Sequence, residues 1–131
     1  MYRPPNTDVS LFNLELSGIL DMINNDVPKL AFITGDHKLD LLKYETHAPT
    51  GDFLSSLFSH SYLPTIRYPT RITETSATLI DNICINSIKQ KFETAIIYSD
   101  ISDHLPVAMG FDLNISKNKP LPKYVILARF K

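Results

Sequence analysis

The chain has 131 residues, a hydrophobic fraction of 44%, a charged fraction of 21% and a formal net charge of −1. This length suits one domain with a core of its own, and these fractions argue against a disordered or coiled-coil chain. The near-zero net charge does not indicate a strongly basic nucleic-acid-binding protein. A local basic patch could still exist at this net charge.

The cysteine content and the lack of long apolar runs indicate the compartment. Cys84 has no second cysteine with which to form an intramolecular disulfide, which fits a reducing environment. No apolar run approaches the roughly 18 residues of a membrane span, and residues 1–5 carry no apolar signal region. We therefore expect an intracellular protein, nuclear or cytoplasmic, with no membrane partner.

Apolar spacing predicts helices and strands in mixed order. Residues 10–24 have helical spacing, with Ser10 as the cap, and the short apolar run at 29–34 predicts a strand buried on both faces. Residues 50–60 predict a second helix, capped by Thr50. Further strands are predicted at 63–66, 79–85, 92–97, 105–113 and, after a polar linker at 116–122, at 124–130. This order predicts an α/β fold in which helices cover sheets.

Three acidic residues and one histidine stand where they could carry chemistry. Asp36 follows the first predicted strand, Asp81 lies inside an apolar one, and Asp103 precedes His104. A carboxylate in an apolar strand is costly without a partner, so Asp81 requires a donor, for which His104 is a natural candidate. Such a pair can be catalytic, and Asp36 and Asp103 could supply oxygen ligands to Mg²⁺. A turn role for Asp36 and a purely structural Asp81–His104 pair are the alternatives.

Five short motifs occur in one order along the chain. They are Tyr2-Arg3-Pro4-Pro5-Asn6, Gly35-Asp36, Pro69-Thr70-Arg71-Ile72-Thr73, Ser76-Ala77-Thr78-Leu79-Ile80-Asp81-Asn82-Ile83 and Ser102-Asp103-His104-Leu105-Pro106-Val107. Together they closely resemble the endonuclease/exonuclease/phosphatase domain of non-LTR retrotransposon reverse transcriptases. The resemblance implies a partial four-layer α/β sandwich of two mixed or antiparallel sheets with flanking helices. It implies that residues 1–115 are the C-terminal part of that domain and 116–131 a polar linker with a terminal strand.

The resemblance also implies an activity and a role for each residue of the site. Members of the family hydrolyse phosphate esters with a divalent metal, usually Mg²⁺, and the retrotransposon branch nicks target DNA. Tyr2 would contact the scissile phosphate, and Asp36 would position and activate the attacking water. Asp81 would orient His104, which would bind or protonate near the phosphate, and Asp103 would help to hold the metal or polarise its neighbours. DNA is the implied partner, with a reverse transcriptase domain downstream in the parent protein.

Two departures from the family pattern bear on activity. Where the family has Gly-Asp-Phe-Asn, this chain has Gly35-Asp36-His37-Lys38, so His37 is expected to pack in place of a core phenylalanine. Lys38 could pair with Asp36, repel the metal or bind phosphate, and we expect impairment. Arg71 is a second candidate for binding the substrate phosphate. The second departure is that the family's early asparagine and metal-binding glutamate have no counterpart here, so we expect an incomplete domain.

Three functions follow as hypotheses. The first is a Mg²⁺-dependent endonuclease that nicks DNA, and the second is a non-catalytic remnant of a mobile element. The third is a phosphatase of the same fold that acts on a phosphate ester other than DNA. The sequence leaves the oligomeric state open.

Overall fold

The computed structural model describes residues 1–4, 6–25, 30–89 and 91–112. The helices are α1 (Val9–Asn25), the short 3-10 helix η1 (Leu41–Lys43) and α2 (Ala48–Ser59). The strands are β1 (Phe32–Asp36), β2 (Leu63–Pro64), β3 (Arg71–Ile72), β4 (Ala77–Thr78), β5 (Asp81–Ile85), β6 (Phe92–Ile96) and β7 (Val107–Phe111). The predicted linker at 116–122, the strand at 124–130 and the domain boundary at 115 lie outside the described residues.

The described strands form three small antiparallel sheets. The largest has the order β1-β5-β2, and its β1–β5 register runs from Phe32 opposite Ile85 to Asp36 opposite Asp81. The other two are the pairs β3–β4 and β6–β7. Helices combined with small antiparallel sheets confirm the predicted mixed α/β class. Within the described part of the chain, no helix is both long and apolar enough to cross a membrane.

The two helices begin at places other than those predicted. Asp8 caps α1, because its Oδ1 accepts from the backbone N–H groups of Ser10, at 2.7 Å, and Leu11, at 3.2 Å. Ser10 as the cap was therefore wrong. For α2 the cap position is His47, which makes no side-chain capping bond, and Thr50 lies buried inside the helix. The prediction of Thr50 as a cap was also wrong.

The core lies between the two long helices and the central sheet. Its members include the fully or nearly fully buried side chains Leu16, Leu20, Phe53, Leu57, Tyr62 and Cys84. The rings of Phe12 on α1 and Phe53 on α2 stack with their centroids 6.1 Å apart. This packing fixes the helices against the sheet that carries the candidate site.

The first strand differs from its prediction in burial. The apolar run at 29–34 was expected to be buried on both faces, but β1 begins at Phe32, which is 38% exposed, and alternates in burial. The reason is position in the sheet, since β5 is the central strand and β1 lies beside it. It is β5 that is buried continuously, from Asn82 to Ile85. Residues 26–29 lie outside the described residues.

Candidate functional site

The end of β1 brings together residues from three separate segments. Asp36, the last residue of β1, lies opposite Asp81, the first residue of β5. On the other side of β1, Tyr2 forms a parallel bridge with Asp36, and the Arg3 N–H donates to the Asp36 carbonyl over 3.1 Å. Paired residues on adjacent strands lie about 5 Å apart. Tyr2, Asp36 and Asp81 therefore form a row across neighbouring strands, at the end of the sheet where β1 finishes.

A glycine makes room for the first residues of the chain beside β1. The α-amino group of Met1 donates to the carbonyl of Thr34. A Cβ at Gly35 would overlap the carbonyl oxygen of Met1. Gly35 is therefore needed for the close backbone approach that places Tyr2 next to Asp36.

Backbone pairing also brings His104 to this row. Residue 104 bridges Arg71 in β3, and the Leu105 N–H donates to the Thr70 carbonyl over 2.7 Å. The Nδ1 of His104 lies 2.9 Å from Oδ2 of Asp81. The expected pairing of these two side chains is therefore present in the fold. With Nδ1 bonded to Asp81, Nε2 is the ring nitrogen left to meet a ligand.

Thr70 anchors the Asp81 carboxylate, a role that the sequence analysis missed. Its fully buried hydroxyl donates to Oδ2 of Asp81 over 3.1 Å. The hydroxyl oxygen of Thr70 in turn accepts from the backbone N–H groups of Ile80, at 3.3 Å, and Asp81, at 3.0 Å. The motif around Thr70 was noted in the sequence, but its hydrogen bonds depend on the approach of Thr70, just before β3, to Ile80 and Asp81 at the start of β5. Thr70 and His104 thus both bond Oδ2 of Asp81.

The surroundings of Asp81 have opposing effects on the pKa of its carboxyl group. Burial raises the pKa of the Asp81 carboxyl above its usual value, and the hydrogen bond from His104 is the main effect that opposes the rise. The neighbouring Asp36 carboxylate raises this pKa further, because two like charges lie close together. A cation placed between the two carboxylates would relieve that repulsion.

The three central side chains have the chemistry of a metal site. Ligand atoms of Asp36, Asp81 and His104 all lie within 4.8 Å of one another. Two carboxylate oxygens and an imidazole nitrogen are donors that a divalent cation accepts. This group could hold a metal ion, as the sequence analysis expected in general terms.

Asp103, the ligand named from the resemblance, is not part of this group of three. One of its carboxylate oxygens lies 2.7 Å from Nε of Arg71. The hydrogen bond from Arg71 holds the pKa of the Asp103 carboxyl below its usual range. Arg71, expected to bind the substrate phosphate, is therefore engaged by Asp103 in this structure.

Lys38 lies directly on the candidate metal site. Its Nζ is 2.6 Å from Oδ2 of Asp36, and its backbone N–H donates to Oδ1 of the same carboxylate over 3.1 Å. The ammonium lies 6.0 Å from the centroid of the Tyr2 ring. Of the alternatives considered from the sequence, the structure contains the ion pair with Asp36.

Arg3 fixes the turn that carries Lys38. This role was not predicted from the sequence either. The side chain is 6% exposed, and its guanidinium donates to three carbonyls. These are the carbonyls of His37 at 2.9 Å, Lys38 at 2.8 Å and Thr7 at 2.9 Å. Arginine side chains are mostly exposed, and a buried one needs partners such as these carbonyls. No feature of the sequence therefore indicated that Arg3 would be buried.

His37 points away from the site and into the core. It is 1% exposed, and its ring centroid lies 5.1 Å from that of Phe53. Neither ring nitrogen has a hydrogen-bond partner within the described residues. Burial lowers the pKa of His37 to about 4. The expectation that His37 packs as a core residue is confirmed.

Comparison of the chain with protein-family models, with curated proteins and with solved structures found no match in any of the three. The candidate site is therefore defined by its own geometry: two carboxylates and an imidazole converge from three segments, and a lysine is paired to one of them.

Proposed function

We propose that the chain is part of a metal-dependent phosphodiester hydrolase that nicks DNA. One observation carries the proposal, the convergence of Asp36, Asp81 and His104 within 4.8 Å. These residues are far apart in the sequence, and a structural need for a single buried ion pair would not require the third group. The two carboxylates suit Mg²⁺, which prefers oxygen ligands and accepts only a few from the protein, whereas the imidazole nitrogen is a ligand more typical of transition metals.

Each residue of the row has a role in this proposal. Asp36, Asp81 and His104 would hold Mg²⁺, which when bound offsets the charge of the phosphate and favours ionisation of water. Asp36 accepts a hydrogen bond from the attacking water and orients it. Asp81 holds Nδ1 of His104, which leaves Nε2 as the ring nitrogen that would bind the ion. Tyr2, which is 41% exposed beside Asp36, donates its hydroxyl to a phosphate oxygen.

Asp103 and Arg71 have conditional roles. Asp103 as an oxygen ligand and Arg71 as a donor to the phosphate both require their ion pair to open. Both side chains of this pair are about two-fifths exposed, so the pair is screened by solvent and contributes little to stability. An incoming phosphate could therefore recruit Arg71 at small cost.

The proposal includes the finer features that the resemblance implies. In this proposal residues 1–115 belong to the C-terminal part of a four-layer α/β sandwich of the endonuclease/exonuclease/phosphatase kind. The parent protein carries a reverse transcriptase domain and acts inside the cell. The antiparallel three-stranded sheet and its flanking helices are compatible with that architecture.

A plasmid-nicking assay tests the proposed function. Supercoiled plasmid is incubated with the chain and Mg²⁺, with EDTA as the metal-free condition, and the open-circle product is measured over time. Asp36→Ala and His104→Ala should each lower the rate by about 10² or more, as expected for loss of a group that acts in the transition state. Asp52→Asn, on the exposed surface of α2, should leave the rate unchanged.

The ion pair of Lys38 with Asp36 favours a second candidate, a non-catalytic remnant of the same fold. This alternative predicts no nicking by the wild-type chain, whereas the enzyme hypothesis predicts weak nicking that increases in Lys38→Asn. Failure of both the wild-type chain and Lys38→Asn to nick plasmid in Mg²⁺ would contradict the enzyme hypothesis.

A further inference from the structure

We propose that the ammonium of Lys38 is the resident cation of this site, so that a divalent metal ion binds only by displacing it from Asp36. The inference rests on the proposed metal site and concerns what regulates its occupancy. It assigns to Lys38 the control of cation affinity.

The carboxylate held by Lys38 is one of the proposed metal ligands. Nζ lies 2.6 Å from Oδ2 of Asp36, and the side chains are only 26% and 17% exposed. A metal ion bound to Asp36, Asp81 and His104 would therefore lie close to a positive charge. Partly buried charges are screened much less than exposed ones, so this repulsion persists at moderate salt.

The backbone holds Lys38 in this position. Its φ is +53°, in the left-handed region that side-chain-bearing residues seldom adopt. Its N–H is bonded to Asp36, and its carbonyl and that of His37 are bonded to the buried Arg3. These bonds stabilise a turn that directs the side chain back over Asp36. The backbone of the fold therefore positions this ion pair, unlike a chance contact between exposed side chains.

The electrostatics of the carboxylate pair point the same way. Asp36 and Asp81 are register partners whose like charges repel, and a cation at this edge relieves that repulsion. Lys38 supplies such a cation from within the chain. Removing its charge should therefore leave an unbalanced pair of carboxylates with a higher affinity for an external cation.

The test measures Mn²⁺ binding by isothermal titration calorimetry at low salt, without substrate. Lys38→Met removes the charge and keeps an unbranched side chain, whereas Lys38→Arg keeps the charge. Lys43→Met is the matched control, because Lys43 pairs with Asp40 at 3.7 Å and is not part of the metal-ligating group. Lys38→Met should bind Mn²⁺ about tenfold tighter or more, since a unit charge a few ångströms from the metal is removed. Lys38→Arg and Lys43→Met should bind like the wild-type chain.

The outcomes separate this inference from the proposed function. If the wild-type chain binds Mn²⁺ and Lys38→Met binds it no tighter, the inference is overturned and the metal site stands. If neither chain binds Mn²⁺, the metal site itself is contradicted, and the inference fails with it. Lys38→Asn provides a second neutral variant, because asparagine tolerates a positive φ and so preserves the turn. It should show the same gain in affinity.

Discussion

His37 is a polar ring in an apolar place. Both of its nitrogens are buried without hydrogen-bond partners, and the ring packs against Phe53. A buried polar group without a partner costs about 1–3 kcal/mol. His37→Phe should therefore raise the free energy of unfolding at pH 7 by about 1–2 kcal/mol, the low part of that range, because the larger ring also has to fit. Urea unfolding of the two chains measures the difference.

His37 also makes the stability of the fold depend on pH, and stability should fall as the pH falls. The pKa of His37 is about 4 in the folded chain and 6.5 in the unfolded reference, so the unfolded state takes up the proton first. His37 therefore destabilises the fold as pH falls from 6.5 to 4, by about 3 kcal/mol in total. In His37→Phe this part of the loss of stability at low pH should be absent. If the free energy of unfolding fell by the same amount between pH 6.5 and 4 in both chains, the prediction would be wrong.

Thr70 gives a third prediction at the scale of single residues. Its hydroxyl bonds the Asp81 carboxylate and accepts from two backbone N–H groups. Thr70→Val preserves shape but leaves these groups short of partners, so the free energy of unfolding should fall by about 1–3 kcal/mol. Thr70→Ser keeps the hydroxyl and should lose only about 0.8 kcal/mol, the value of one buried methyl group. Equal losses in the two variants, measured by urea unfolding, would show that methyl packing matters and the hydroxyl does not.

At the scale of elements, the start of α1 distinguishes two candidate caps. Asp8 accepts from the N–H groups of Ser10 and Leu11, whereas Ser10 lies within the first helical turn. Asp8→Ala should therefore destabilise the chain by about 1 kcal/mol. Ser10→Ala should stabilise it slightly, by about 0.5 kcal/mol, because alanine has the higher helix propensity. Thermal unfolding of the two variants measures both effects, and a larger loss in Ser10→Ala would reverse the assignment.

The elements also show what sequence patterns can define. Both long helices were predicted because apolar residues recur at helical spacing, but their first residues were misplaced by one or two positions. Asp8 and Ser10 are both good capping residues, and only the backbone geometry decides between them. The burial of β1 was misjudged for a different reason. An apolar run does not reveal whether its strand will be central or lateral in a sheet, and here β5 took the central place.

At the scale of the whole molecule, the mixed α/β class and three residues of the candidate site could be predicted. Asp36, Asp81 and His104 were named from their positions next to apolar runs and from the ordered motifs. Arg3 and Thr70 could not be named, because their roles depend on contacts between segments distant in the chain. The ion pair of Lys38 was one of several alternatives, and only the left-handed turn held by Arg3 selects it.

The row of Tyr2, Asp36 and Asp81 has a consequence for how such a chain tolerates change. Its spacing comes from main-chain alignment, so exchange of one core side chain for another leaves the chemistry where it is. Loss or gain of a single residue inside β1 would instead turn Asp36 to the opposite face of the sheet. Point substitutions in the interior should accordingly lower the stability of this protein before they disturb the row, whereas deletion of one residue in β1 should disturb the row and the packing of Ile33 against the core together.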